Sequence, residues 1–393
     1  MSEPPRYFET EAVRTQIPTT GEREHSTPLY LTSSFVFDDA EQARALFADE
    51  VAGNIYSRYS NPNTDEFVRK LCLMEGAEDG IATASGMAAV FVSLAALLSS
   101  GDHLLAARSL FGSTSQILGK ILPRWGITHS YADLGNPESW PELLRPNTKA
   151  IFVETPSNPG LDLVDLNWLG QLARFRGIAL LVDNCFTTPY LQQPIRHGAD
   201  LVIHSATKFI DGQGRTLGGA VLGGSKLIAE CRFFARHTGP ALSPFNAWVL
   251  SKSLETLAVR MDRHCKNALA LARHFEGHGD LEAVRYPFLP SHPQYELARR
   301  QMSQGGGIVV LIVKGGLERA RRFLDSVRLV SHSPNLGDTR SIVTHPTSTT
   351  HSKLSEEDRQ RVGIVPGLLR ISVGLEHVED VIADLEQALT ASR

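Results

Sequence analysis

The stretch Leu201-Val-Ile-His-Ser-Ala-Thr-Lys208 runs from an apolar strand candidate into two hydroxyl residues and a lysine, and a glycine-rich run follows to Gly219. Residues two apart on an extended chain face the same way, so Ser205 and Thr207 are expected to face one anion while Lys208 faces elsewhere. A lysine amine beside a carbonyl forms a Schiff base, and the carbonyl cofactor that also carries a phosphate is pyridoxal 5'-phosphate. Taken alone, the same residues also read as an exposed strand-end lysine behind two turn-forming hydroxyls, because short motifs often match by chance.

Four further groups could share that chemistry. Ser85-Gly86-Met87 lies where a strand turns into a helix, and helix N-termini attract phosphate through free amides and partial positive charge. Ser85 would equally serve as a plain N-cap. Asp183 closes an apolar run at the end of a strand where α/β sheets bind ligands, and a carboxylate there can keep a pyridine nitrogen protonated; the plainer reading is a helix cap. Cys185 reads as a small buried filler. Tyr56-Ser-Arg58 offers a phenol and a forked guanidinium apt for phosphate, or for a surface or subunit contact. Arg370 is a charge inside an apolar strand and must be paired, with a substrate α-carboxylate or in an internal ion pair. Other motifs are weaker. Gly212-Gln-Gly214 with Gly218 lacks dinucleotide spacing, and His274 and His278 lack a third metal ligand, so no metal is expected.

The elements that must position these residues follow from periodicity. Residues 1–60 are rich in Pro, Thr, Ser and Arg and read as an extended arm. A helix is predicted after Asn61-Pro62-Asn63, with Asn63 and Glu66 at capping-box spacing and Phe67, Leu71 and Met74 on one face. Short apolar runs then alternate with helices: Gly80–Ala84, His103–Ala106, Lys149–Val153, Ile178–Val182 and Ala199–Ile203, with a helix over Val164–Arg176 capped by Asp165. That alternation predicts an α/β fold with a mostly parallel sheet covered by helices. One long helix over Ser243–Glu276 is expected to bridge to a smaller α+β domain, with strands at Ile308–Val313 and Leu369–Val373 and helices at Leu317–Val327 and Val378–Leu389. The divisions are thus an arm (1–60), a large domain (61–256) and a C-terminal substrate-binding domain (257–393).

Composition narrows the class. The 393 residues are 42% hydrophobic and 21% charged with a formal net charge of −4, and no run of one charge suggests a nucleic-acid or membrane surface. The longest apolar stretch, Met87–Leu98, is too short to span a bilayer. The start, Met-Ser-Glu-Pro-Pro-Arg, shows no apolar leader, and four scattered cysteines without C-x-x-C spacing fit a reducing cytoplasm.

In chain order, Tyr56 and Arg58, Ser85-Gly86-Met87, Asn158, Asp183, Ser205-x-Thr207-Lys208 and Arg370 resemble the Cys/Met-metabolism family of pyridoxal-phosphate enzymes, from Ala12 to Leu389. The resemblance implies an aspartate-aminotransferase-like fold and a homotetramer built from tight dimers. It implies that Lys208 carries the cofactor, Asp183 pairs with the pyridine nitrogen, and Ser85, Gly86, Met87, Ser205 and Thr207 hold the phosphate. It also implies that Tyr56 and Arg58 reach the neighbouring subunit's phosphate, and that Asn158 and Arg370 hold the substrate carboxylate or the cofactor's 3'-oxygen side. Two departures stand out. Phe111 replaces a ring-stacking tyrosine, so it can stack but has no hydroxyl for proton transfer. Asn335-Leu-Gly-Asp338 replaces Ser-Leu-Gly and, with Asp211-Gly-Gln-Gly-Arg215 and Gly239–Asn246, is similar to the sulfhydrylase branch. That branch implies γ-replacement at an O-acylated homoserine, with small-molecule substrates and Asn335 on the substrate side.

Overall fold

A computed structural model describes residues 6–352 and 355–393. Met1 to Pro5, on which the reading of no leader rested, lie outside the described residues. Seven strands form the larger sheet: β1 (Asp79–Thr83), β2 (His103–Ala107), β3 (Thr128–Ala132), β4 (Thr148–Glu154), β5 (Ala179–Asp183), β6 (Leu201–Ser205) and β7 (Gly219–Gly223). Their order is β1-β7-β6-β5-β4-β2-β3. Strands β3, β2, β4, β5 and β6 run parallel, whereas β7 is antiparallel to both β6 and β1. Parallel strands read as continuous apolar runs because both faces are covered. Helices Gly86–Leu97, Leu166–Arg176 and Ser225–Thr238 share one apolar cluster with the sheet, and Pro62–Glu75 and Pro244–Leu254 share another.

A second sheet of β8 (Leu281–Arg285), β9 (Ile308–Val313), β10 (Ser331–His332), β11 (Ile342–Thr344) and β12 (Leu368–Ser372) runs in the order β10-β11-β12-β9-β8. It is antiparallel apart from the β10–β11 pair. Phe275, Phe323 and Leu385, from helices Leu257–Phe275, Gly316–Ser326 and Val378–Ala391, bury against it. Among the described residues no helix is long and apolar enough to cross a membrane.

Two helical expectations need correction. The bridging helix is two helices, Pro244–Leu254 and Leu257–Phe275. They part at Glu255 and Thr256 because the Ser253 carbonyl is taken by the Arg260 guanidinium at 2.9 Å and by the Thr256 hydroxyl at 3.2 Å. The helix Pro62–Glu75 is capped two residues earlier than predicted. Asn61 caps it with Pro62 in the first turn, where a fixed φ suits the helix. Asn63 instead ties down the arm, accepting from Tyr30 N and donating to Pro28 O, both at 2.8 Å. Glu66 likewise turns to Thr27, Ile17 and Ser251 rather than back to the cap. The arm itself carries two short helices, Phe8–Arg14 and Ala40–Phe47, and buries Ala12 in the large domain's second cluster.

Candidate active site

Three neighbouring strands end together. Glu154 on β4 pairs in register with Asp183 on β5, which pairs with Ile203 on β6, two residues before Ser205. The carboxyl ends of parallel strands are where such sheets bind ligands. After Ser205 the chain turns at once, with Lys208 N donating to Ser205 O at 3.2 Å. The expected alignment of Ser205 and Thr207 on one extended strand is therefore wrong in its geometry. Thr207 sits in the turn, and its hydroxyl oxygen accepts from Gly218 N at 3.1 Å.

Lys208 Nζ donates to Asn335 Oδ1 at 2.5 Å, and no carboxylate among the described residues lies within ion-pair distance of it. Burial pushes this amine below its ordinary pKa; Cys185 opposes that shift and Arg370 adds to it. The loop bearing Asn335 lies directly on the lysine turn. Gly337 there adopts φ 76°, and a Cβ on it would fall 2.5 Å from Phe209 N and 2.8 Å from Lys208 C. Only glycine serves both that dihedral and that approach.

Arg370, central in β12, is 2% exposed. Nη1 donates to Asn158 Oδ1 at 2.9 Å, and Nη2 to the carbonyls of Pro334 and Asn335 at 3.0 and 3.1 Å. The alternative of an internal ion pair fails, since no carboxylate among the described residues comes within 4.0 Å. Burial lowers its pKa to about 10, against the field of Glu154. A buried cation held only by neutral groups is ready for an anionic ligand. Asn158 is itself buried, in a segment with cis peptides at Thr155-Pro156 and Asn158-Pro159.

Ser85 caps the helix Gly86–Leu97 by accepting from Ala88 N at 3.1 Å. The capping and phosphate-seat readings thus coincide, since the amides of Gly86 and Met87 lie in the first turn where no intrahelical acceptor exists. Gly86 brings that turn against the end of β6, for a Cβ on it would lie 2.5 Å from Ser205 Cβ.

Asp183 Oδ1 accepts from Cys185 N at 3.0 Å. Burial raises its pKa, while that amide and His204 pull the other way. The Cys185 thiol approaches Ser205 O at 3.9 Å and is pushed far up by burial, so it is no nucleophile. Glu154 was missed by the sequence reading. It is 5% exposed, and its Oε2 accepts from Phe111 N at 2.9 Å. Burial first, and then Asp183, push its pKa well above the carboxylate range. The available signal was positional: an acid ends one apolar run just as Asp183 ends the next.

Phe111 precedes the short helix Gly112–Gln116 and is half-buried. Tyr56 and Arg58 lie apart from this cluster. Tyr56 is 40% exposed; the Arg58 guanidinium sits 4.8 Å from the Tyr59 ring centroid and donates to Arg236 O. No contact among the described residues joins them to Lys208 in the same chain. His274 and His278 both reach Glu386, at 2.7 and 3.4 Å. The four cysteines are free.

This donor set fits pyridoxal phosphate. Among the described residues, an amine without a carboxylate partner, a strand-end carboxylate with one oxygen that accepts no protein hydrogen bond and a helix N-terminus beside a serine would suit the aldehyde, ring nitrogen and phosphate of that molecule. The fold and site define a pyridoxal-phosphate enzyme of the aspartate-aminotransferase-like type. A family profile described as Cys/Met metabolism PLP-dependent enzyme matches residues 9–390, and the chain belongs to that family. It is 50% identical over 384 residues to an O-succinylhomoserine sulfhydrylase of Pseudomonas aeruginosa, covering 98% of this chain and 95% of the relative. An L-methionine gamma-lyase of Porphyromonas gingivalis is 41% identical over 367 residues, covering 93% of this chain and 92% of that one. Among solved structures, a Campylobacter jejuni chain assigned as an O-acetylhomoserine (thiol)-lyase, with an N'-pyridoxyl-lysine-5'-monophosphate, superposes with TM-score 0.93 at 36% identity. That match covers 98% of this chain and 99% of the other.

Proposed function

We propose that this enzyme catalyses γ-replacement, taking O-succinylhomoserine and sulfide to homocysteine and succinate in methionine biosynthesis. The observation that carries the reading is the meeting of Asn335, Lys208 and Arg370 at one mouth, in a chain half identical to O-succinylhomoserine sulfhydrylase of Pseudomonas aeruginosa. Lys208 would hold the cofactor, and Asp183 would keep a proton at its ring nitrogen. Ser85, Gly86, Met87, Ser205 and Thr207 would hold the phosphate, and Phe111 would stack on the ring. When bound, the cofactor supplies an electron sink for charge left on the substrate's carbons.

The chain's own groups then do positioning and proton work. Arg370 and Asn158 hold the substrate α-carboxylate by charge-assisted hydrogen bonds. The Lys208 amine, its pKa lowered by burial, takes and returns protons at the α- and β-carbons, with Asn335 fixing where its nitrogen sits. Phe111 has no hydroxyl, so Lys208 carries most transfers. Succinate leaves from the γ-carbon as sulfide takes its place. Tyr56 and Arg58 serve the partner subunit's phosphate in a cytoplasmic homotetramer built from dimers, which accords with an arm that exposes Leu31 and Val36.

A substrate panel tests this. O-succinylhomoserine, O-acetylhomoserine and methionine are each supplied with sulfide or cysteine, and the products are identified. Homocysteine from the succinyl ester and sulfide is expected to form fastest. Dominant cystathionine would make the enzyme a cystathionine γ-synthase, a faster acetyl ester would make it an O-acetylhomoserine sulfhydrylase, and thiol release from methionine would make it a γ-lyase.

A further inference from the structure

Glu154 is a buried carboxyl group to which the fold gives no evident purpose. It ends β4, and its register partner on β5 is Asp183, so the two side chains leave the sheet on the same face. A buried carboxyl group is costly unless it is hydrogen-bonded. Among the described residues its one hydrogen bond is that from Phe111 N to Oε2, at 2.9 Å. The bond fixes the Phe111 main chain. Phe111 is the residue before the helix Gly112–Gln116, with φ −53° and ψ 137°. Burial first, and the neighbouring Asp183 next, raise the Glu154 carboxyl above its ordinary pKa, which eases its place beside a second carboxylate.

We propose that Glu154 is a positioning residue, which fastens the Phe111 main chain beside the strand-end carboxylate Asp183 and so sets the aromatic ring and the carboxylate relative to one another around the pyridine ring. The proposal rests on pyridoxal phosphate binding at Lys208 and not on which acyl ester is the substrate. The geometry gives each part a separate task. Asp183 would meet the ring nitrogen and Phe111 the ring face, while Glu154 joins the elements that carry them. Loss of the acceptor should loosen the Phe111 segment while leaving Lys208 and Asp183 in place.

The test uses two near-isosteric variants of the full chain, Glu154→Gln and Glu154→Met, so that volume is conserved in both. Cofactor dissociation constants are measured with the circular dichroism of the bound cofactor's absorption band, which reports its orientation, and with the melting temperature of the cofactor-free protein. Glutamine keeps an acceptor for Phe111 N–H, and is expected to hold affinity within about threefold and to keep the sign and amplitude of the band. Methionine has no such acceptor, and is expected to weaken cofactor binding by about tenfold or more and to shrink the band. Equal loss in both variants would overturn the Phe111 tie. An unchanged band and affinity in the methionine variant, with or without a lower melting temperature, would overturn any positioning role. Borohydride reduction of the parent protein, with the label mapped to Lys208, tests the underlying cofactor assignment separately.

Discussion

Arg370 and Arg260 are both buried guanidiniums, at 2% and 5% exposure, and burial lowers both to a pKa of about 10. Their surroundings differ. Arg260, on the helix Leu257–Phe275, donates from Nη1 to Phe209 O at 2.6 Å and from Nη2 to Ile210 O and Ser253 O at 3.0 and 2.9 Å. Its Nε reaches the Thr256 hydroxyl at 3.3 Å. It clasps the turn after Lys208 to the break between two helices, and every nitrogen is engaged by protein. The nearby Asp211 is likewise occupied, by Arg215 and by the amides of Gln213 and Arg215. Arg370 donates only from its two Nη atoms, and its Nε has no protein acceptor among the described residues. The same residue type at the same burial is a structural rivet where its network closes on protein, and a candidate ligand anchor where donors remain free at the mouth of a site.

Paired substitutions separate the two cases. Arg370→Met is expected to lower kcat/KM by about a thousandfold, since a charge-assisted carboxylate contact of roughly 4 kcal/mol is lost. The unfolding midpoint should fall as well, because Asn158 Oδ1 and the carbonyls of Pro334 and Asn335 lose their donors, but the loss of kcat/KM persists in the fraction that stays folded. Arg260→Met should act on stability alone, costing about 2–4 kcal/mol by stripping donors from three buried carbonyls, with kcat/KM of the folded enzyme within about tenfold of the parent. Steady-state kinetics with urea unfolding on both variants decides the matter. If folded Arg370→Met kept kcat/KM within about tenfold of the parent, or Arg260→Met silenced the enzyme at unchanged stability, free donors would be no guide to function here.

The same contrast explains what the sequence made legible. Arg370 drew notice as a charge inside an apolar strand, and Asp183 and Lys208 because each closes or closely follows one; a structural reading stood beside each. Glu154 has that character too, but the predicted strand was closed at Val153, one residue short of it. The Thr207 geometry failed because periodicity does not say where a strand stops, and the chain turns straight after Ser205. Strand β7 was hidden by its flanking glycines, although Ala220, Val221 and Leu222 are fully buried. Neither the contact of Asn335 with Lys208 nor the break at Glu255 could be read locally. The first joins residues 127 apart, and the second depends on a guanidinium capturing a carbonyl one helix away.

One smaller effect probes the closed network from within. His264 lies one turn beyond Arg260 on the same helix, and its Nδ1 is 2.7 Å from Val373 O. Burial first, and Arg260 further, push it down to about 4, against the Val373 carbonyl and Asp338. Unfolded, the same imidazole would titrate near its ordinary value of about 6.5. Between those values the unfolded chain binds a proton that the folded chain refuses, so stability rises with pH across the window and is lost on acidification. His264→Gln keeps a donor for Val373 O and removes the titration. Its unfolding free energy should therefore fall less steeply than the parent's from pH 6.5 to 4.5, by up to about 1.4 kcal/mol per pH unit within the window. His351, lowered to about 4 by burial and by Arg370, titrates in the same window and remains as background in both proteins. Urea midpoints across that range measure the difference. Identical slopes would mean that water or a proton already reaches His264, and the network around Arg260 would not be closed.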